Sequence, residues 1–303
     1  MSAPSPTPEI GLLRLKGHEK DLGGGFTVRR LLPALQLRSV GPFLFFDHFG
    51  PVAVEPQDEY DVRPHPHIGL ATVTYLFEGA IMHRDSLGSE QQIEPGAINW
   101  MTAGRGIVHS ERRPEALAQR RYVNHGIQLW AALPVAAEEC APSFVHTPAA
   151  EIPEWSQGGA RVRVLVGDGF GCRSPVETLA PALYLDVQLQ PGAWLELPAL
   201  AQQMALYPVD GDLWLGDELL PRQTLATLPQ GQAVALRATS GEPVRCMVIG
   251  GDPLDGPRHL WWNFVSSSKE RIVQAAKAWE AQAMGRVPGE TEWIPLPERR
   301  FKL

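Results

Sequence analysis

HPHIGLATVTYLFEGAIMHRDSLGSEQQIEPGAINWMTAGRGIVHSE, residues 65–111, decides how this chain is read. It opens on His65-Pro66-His67 and closes on His109-Ser110-Glu111. Between them, Ala71–Phe77 alternates Thr72 and Thr74 with Val73, Tyr75 and Phe77, a period of two. That predicts a strand with the threonines outward and the larger side chains on one buried face. In an extended chain residues i and i+2 point to the same side. Each tripeptide therefore presents two ligand-type side chains together. If the two strands face one another across a barrel, three imidazoles and one carboxylate converge. Such a set suits iron, manganese, cobalt, nickel, copper or zinc. A structural zinc site more often uses thiolates. Four protein ligands leave positions open on a metal that prefers five or six, where water, dioxygen or a chelating substrate binds. A divalent ion there keeps net positive charge and draws an enolate or phenolate oxygen. Surface strands also carry such pairs by chance, so the residues alone leave a solvated pair open.

Working outward, the same texture fills the chain. FTVRRLL, PFLFFDHF, GAINWMT, GIVHSE and NHGIQLWAAL are short apolar runs rich in β-branched and aromatic residues, as strands prefer. The 29 glycines and 28 prolines are dispersed between such runs as turn signals. A second block repeats the pattern with RVRVLVGDG, ALYLDVQL, AWLELPA and VRCMVIGG. Two strand-rich blocks suggest a duplicated all-β unit, barrels or double-sheet jelly rolls. The Pro- and Ala-rich stretch Leu133–Pro153 is the candidate boundary, with a short helix near Ala136–Glu139. One further helix is signalled at 267–284. Ser267 and Glu270 form a capping box, Ile272, Ala276 and Trp279 take helical spacing, and Gly285 and Pro288 end it.

With 303 residues, 44% apolar and 20% charged, the chain reads as an ordinary globular protein of two domains. Cys140, Cys172 and Cys246 form no CxxC pair, which fits a reducing compartment. The formal net charge is −7, and only Arg299, Arg300 and Lys302 cluster, so direct nucleic-acid binding is not expected. MSAPSPTPEI lacks the pattern of a secretory leader, and no run is long enough for a spanning helix. A cytoplasmic protein is expected.

Other polar residues read as structural. His48 stands beside the Asp47 carboxylate. His83 and Asp85 sit by a hairpin, in a solvated loop or at a pocket mouth. His125 is a core histidine or a group behind the ligands. Gly104 and Gly106 permit the turn that aims His109; no βαβ pattern surrounds them to make a nucleotide loop. Phe43, Phe45, Phe46 and Trp100 read as core.

The 65–111 stretch resembles the signature of the pirin family, a branch of the cupins, and NHGIQLWAALP and GGDPL resemble it too. The likeness runs from Gly17 to Ala283 and is densest between Arg63 and Glu111. It implies an all-β bicupin of two jelly-roll barrels. Residues 1–136 would be a metal-binding N-terminal barrel, and 137–303 a second barrel without a metal site, ending in the helix. The family's ligands match His65, His67, His109 and Glu111 one for one, with Fe(2+) the expected metal and manganese, nickel, cobalt, copper or zinc as alternatives. Many cupins place a glutamate shortly after HxH; here Leu70, Ala71 and Thr72 stand there, so Glu111 supplies the carboxylate. No histidine lies between His146 and His259, which leaves the second barrel without donors. By the same resemblance the chain is expected to be an oxidoreductase like quercetin 2,3-dioxygenases. It would open a flavonol's central ring with O2 and release CO, with Glu111 as the catalytic base. The alternative the resemblance implies is a non-enzymatic iron-binding regulator acting through protein partners.

Overall fold

The β-branched and aromatic runs become strands, and the strands sort into two double-sheet barrels. The computed structural model describes residues 12–22, 26–239 and 241–301. The opening MSAPSPTPEI and Lys302, on which two readings above fall, lie outside them. In each barrel a seven-stranded sheet opposes a four-stranded one. The ladders within these four sheets are antiparallel. Among the described residues the architecture is therefore all-β, two jelly-roll barrels and one α-helix near the C-terminus.

The first barrel's small sheet carries both ligand motifs. Strand Ile107–Arg112 lies between Val62–His67 and Ile81–Asp85. Its large sheet contains Phe43–Val54, Leu70–Glu78, Ile98–Thr102 and Tyr122–Ala132. Two strands cross between the halves. Ser143–Thr147 pairs with Ile98–Thr102 on the first barrel's sheet, and Arg14–Leu15 pairs with Leu225–Thr227 on the second's.

The alternation in Leu70–Glu78 is observed with its faces exchanged. Val73 and Tyr75 are buried among Leu165, Tyr184, Tyr207 and Ile249 of the second barrel. Thr72 and Thr74 are buried as well, at 3% and 5% exposure, and the Thr74 hydroxyl reaches Glu111 and Gln128 inside the first barrel. The sheet has no solvent face here, because its outer side is covered by the other barrel. Polar contacts lock that interface. The Tyr75 hydroxyl donates to Asp186 at 2.7 Å and accepts from Arg163 at 3.0 Å.

The helix spans Lys269–Glu280, shorter than the expected 267–284, and its cap is shifted by one residue. Ser268 accepts from the Arg271 amide at 3.2 Å and donates to Glu270. Ser267 instead gives its amide and hydroxyl to the buried Glu138 carboxylate. That carboxylate lies just beyond the 3-10 turn Val135–Ala137, where the sequence suggests a short helix. Ile272, Ala275 and Trp279 are the helix's buried face.

Candidate metal centre

Strand pairing brings the imidazoles together. His109 lies directly opposite His65 in the ladder, and Ile107 opposite His67. The left-handed Gly104 (φ 51°) makes the turn before this strand. A Cβ there would come within 2.1 Å of the Cys140 carbonyl oxygen, so glycine is required. The result is a buried cluster in which ligand nitrogens of His65, His67 and His109 lie within 4.8 Å of one another. Among the described residues it is the one such group of three or more donors.

Each ring is oriented by its Nδ1. His65 donates to the Arg63 carbonyl at 2.8 Å, and His67 donates to the Asn263 carbonyl at 3.1 Å. Those bonds leave the Nε2 lone pairs of both rings free to bind a cation. Asn263 follows Trp262, a left-handed turn residue (φ 54°) between strands His259–Trp261 and Phe264–Ser266. A hairpin from the far end of the chain thus completes the site. His109 Nδ1 lies 3.4 Å from His83 Nδ1, and His83 Nε2 lies 3.0 Å from Asp85. Nε2 of His109 is buried with no hydrogen-bond partner. A buried polar atom without a partner costs free energy, and a cation among the three imidazoles would satisfy it. The donor set and this orphaned nitrogen fit a transition metal.

Burial is the first influence on the three imidazole ligands, on Glu111 and on Asp85. It holds His65 down to about 4, and His67 and His109 well below the ordinary imidazole value, so all three stay neutral as ligands must. Burial pushes Glu111 up to about 7, with the Thr74 hydroxyl pulling the other way. Burial also pushes Asp85 up, but hydrogen bonds from His83 and Ser89 outweigh it and hold that carboxyl below its ordinary value.

Glu111 is not part of the three-imidazole cluster. The ladder shows why. Between His109 and Glu111 the register slips, so Glu111 faces Val62 rather than Arg63. The extra residue falls in the opposite strand around Pro64, which has no amide proton for a ladder bond. The carboxylate takes a 3.5 Å hydrogen bond from Thr74 and lines the same cavity as the imidazoles. That cavity measures about 370 Å³. Its walls include Phe45 and Trp130, stacked at 3.9 Å, and the Arg30–Asp47 ion pair.

The remaining candidates fall into place differently from their sequence reading. His48 does not lie against Asp47, because neighbours on a strand point apart. It bonds the Tyr207 hydroxyl and His125 Nε2, each at 2.8 Å, at the inter-barrel face. His125 therefore does not back the ligands. His83 and Asp85 are not in a solvated loop; at 4% and 0% exposure they are packed behind His109. Phe45 lines the cavity, whereas Phe43, Phe46 and Trp100 belong to the core.

A hollow barrel with three convergent imidazoles, set against a filled second barrel, defines a two-barrel cupin. The family model described as Pirin matches residues 25–131, and the one described as Pirin C-terminal cupin domain matches 184–285. The chain is 46% identical over 284 residues to a pirin-like protein of Caulobacter vibrioides, covering 92% of this chain and 96% of that one. It is 34% identical over 270 residues to pirin of Homo sapiens, covering 87% and 89%. The crystal structure of quercetin 2,3-dioxygenase from Acinetobacter baumannii superimposes with a TM-score of 0.89 at 31% identity, covering 96% of this chain and 97% of that one. The chain belongs to the pirin family.

Proposed function

We propose that this pirin is a metal-dependent dioxygenase that opens the central ring of quercetin-type flavonols with O2 and releases CO. The observation that carries the reading is the cavity. It is partly apolar, has room for a flat aromatic molecule, and reaches the three imidazoles and Glu111. A buried cluster sealed from any cavity would instead suit a regulator that uses iron as a structural or redox element. The similarity to a quercetin 2,3-dioxygenase along nearly the whole chain supports the same choice.

In this reading Fe(2+) is the resident metal, and when bound it supplies Lewis-acid and one-electron chemistry toward O2. His65, His67 and His109 hold it through Nε2. Phe45 and Trp130 are part of the apolar lining that would receive the substrate rings. Glu111 is the base that accepts the flavonol 3-hydroxyl proton; burial raises it from its ordinary 4.5 to about 7, which suits it to take and return a proton at neutral pH. It is also the fourth ligand when its carboxylate turns from Thr74 toward the imidazoles. The test is anaerobic loading with Fe(2+), metal analysis, and then CO detection with quercetin and O2. Stoichiometric iron without CO or substrate loss would reject the enzyme and favour the regulator. Glu111→Gln should retain iron yet lose most turnover; unchanged turnover would remove Glu111 from the base role.

A further inference from the structure

Two of the three imidazoles rest on backbone carbonyls, which can only accept a hydrogen bond, so their tautomer is settled locally. His109 has no carbonyl at Nδ1. Its partner is another histidine, which can either donate or accept. The choice is made one step further back. Asp85 Oδ1 accepts from the amides of Leu87 at 2.8 Å and Ser89 at 3.0 Å, and Oδ2 faces His83 Nε2 at 3.0 Å. A carboxylate only accepts, so His83 carries its proton on Nε2 and offers a lone pair at Nδ1. His109 must then donate from its own Nδ1, which leaves Nε2 as a lone pair. That is the buried nitrogen without a partner. Phe144 stacks flat on His83, with centroids 4.1 Å apart and planes 7° apart, and fixes the ring that carries the message.

We infer that Asp85 is a positioning residue that sets, through His83, which nitrogen of His109 is available to a metal. This rests on the metal reading of the three imidazoles. No proton is gained or lost; two imidazole protons change places or stay. Asp85→Asn is therefore a sharper lesion than deletion of the relay. The two backbone amides pin the asparagine oxygen, so its NH2 faces His83. His83 must then accept at Nε2 and donate from Nδ1, and His109 is driven to carry its proton on Nε2, where it blocks coordination. His83→Leu removes the instruction altogether and lets His109 adopt the binding tautomer when metal arrives.

The experiment measures Ni(2+) affinity by chelator competition for the wild type, Asp85→Asn, His83→Leu and the double variant. His83→Leu should cost about 10-fold and Asp85→Asn about 100-fold, the low and high ends for outer partners of a ligating histidine. The double variant should return to the His83→Leu value, a rescue that a merely structural Asp85 would not show. An Asp85→Asn effect no larger than that of His83→Leu, or a double variant weaker than Asp85→Asn, overturns the inference. 15N NMR of histidine-labelled, metal-free protein reads the tautomers directly. The wild type should show His109 protonated on Nδ1 and His83 on Nε2, with both reversed in Asp85→Asn. A proton on Nε2 of wild-type His109 overturns the relay even if the variant folds poorly. A wild type with the expected tautomers and no Ni(2+) uptake would refute the metal reading while upholding the relay.

Discussion

The two barrels share a scaffold and differ along one line of residues. Across the first barrel's large sheet, successive partners read Arg30, Asp47, Gln128, Thr74, Asn99 and His146. Across the second barrel's large sheet a row reads Val164, Leu185, Val248, Leu206 and Ala226. The polar row is satisfied internally. Arg30 binds Asp47 through two hydrogen bonds at 2.6 and 2.8 Å, the Thr74 hydroxyl meets the Gln128 amide at 2.9 Å, and Asn99 pairs with His146 at 2.7 Å. Buried polar groups must be paired in this way, and side chains held to partners cannot also fill the barrel's middle. The apolar row interdigitates into a continuous core. One barrel thus keeps a cavity for chemistry, and the other supplies packing.

The comparison breaks most visibly at the ligands. His65→Ala should abolish stoichiometric metal uptake while the metal-free protein keeps its circular dichroism and melts no lower than wild-type apoprotein. The removed imidazole is a desolvated polar group, and its loss leaves the filled barrel untouched. An unfolded His65→Ala protein would mean that the first barrel's stability depends on this site. The opposite lesion is Leu206→Ala, fully buried in the second barrel. It should cost about 2–5 kcal/mol in denaturant unfolding, the usual range for a core leucine. Metal affinity per folded molecule should not change; a fall in affinity would show that packing in the second barrel tunes the first.

The sequence made the three imidazoles legible because a strand's period places i and i+2 on one face, and the register obeys it. Glu111 follows the same rule within its own strand, yet the slip near Pro64 shifts it relative to the histidines, and nothing in the tripeptide announces that. His83-Arg84-Asp85 carries the same i, i+2 signal and is built on a strand, so the rule that found the ligands also reaches the pair behind them. Alternation in Leu70–Glu78 separates two faces but does not say which is inside, since a second barrel covers the outer one. Asn263 is 196 residues from His67; that contact exists only through the tertiary fold. The sequence holds no histidine between His146 and His259, so the strands of the second barrel in that span offer no imidazole to a cation.

A pH titration sharpens the comparison at the seam between the barrels. Burial, the largest cause, holds His48 to about 3 and His125 to about 4, against an ordinary value of 6.5. Between 6.5 and those values the unfolded chain binds protons that the folded chain refuses. Stability should therefore fall as pH drops below 6.5, with no contribution from this pair above it. The slope for His48 approaches about 1.4 kcal/mol per pH unit. His125, more open to solvent, contributes less. The metal-binding imidazoles titrate in the same direction, so the measurement is the difference between wild type and His48→Gln, both metal-free. An unaltered slope in His48→Gln would show that the seam stays closed to protons for another reason.

The smallest lesion tests the polar row itself. Thr74→Val conserves shape and removes one hydroxyl, which bonds Gln128 and, more weakly at 3.5 Å, Glu111. The stability cost should be about 0.5–1.5 kcal/mol, that of a typical intramolecular hydrogen bond. Its functional effect has a definite sign. The hydroxyl stabilises the ionised Glu111 carboxylate, so removing it lets burial push the group higher, and a larger fraction is protonated at neutral pH. If Glu111 accepts the substrate proton, the acid limb of the turnover profile should move to higher pH, with the plateau at alkaline pH nearly kept. In the second barrel Leu206, likewise paired to the central strand beside it, holds no such partner, and Leu206→Ala should leave that limb where it is. An acid limb that moves in neither variant would detach Glu111 ionisation from turnover, and one that moves in both would trace it to general loosening instead of to a single hydroxyl.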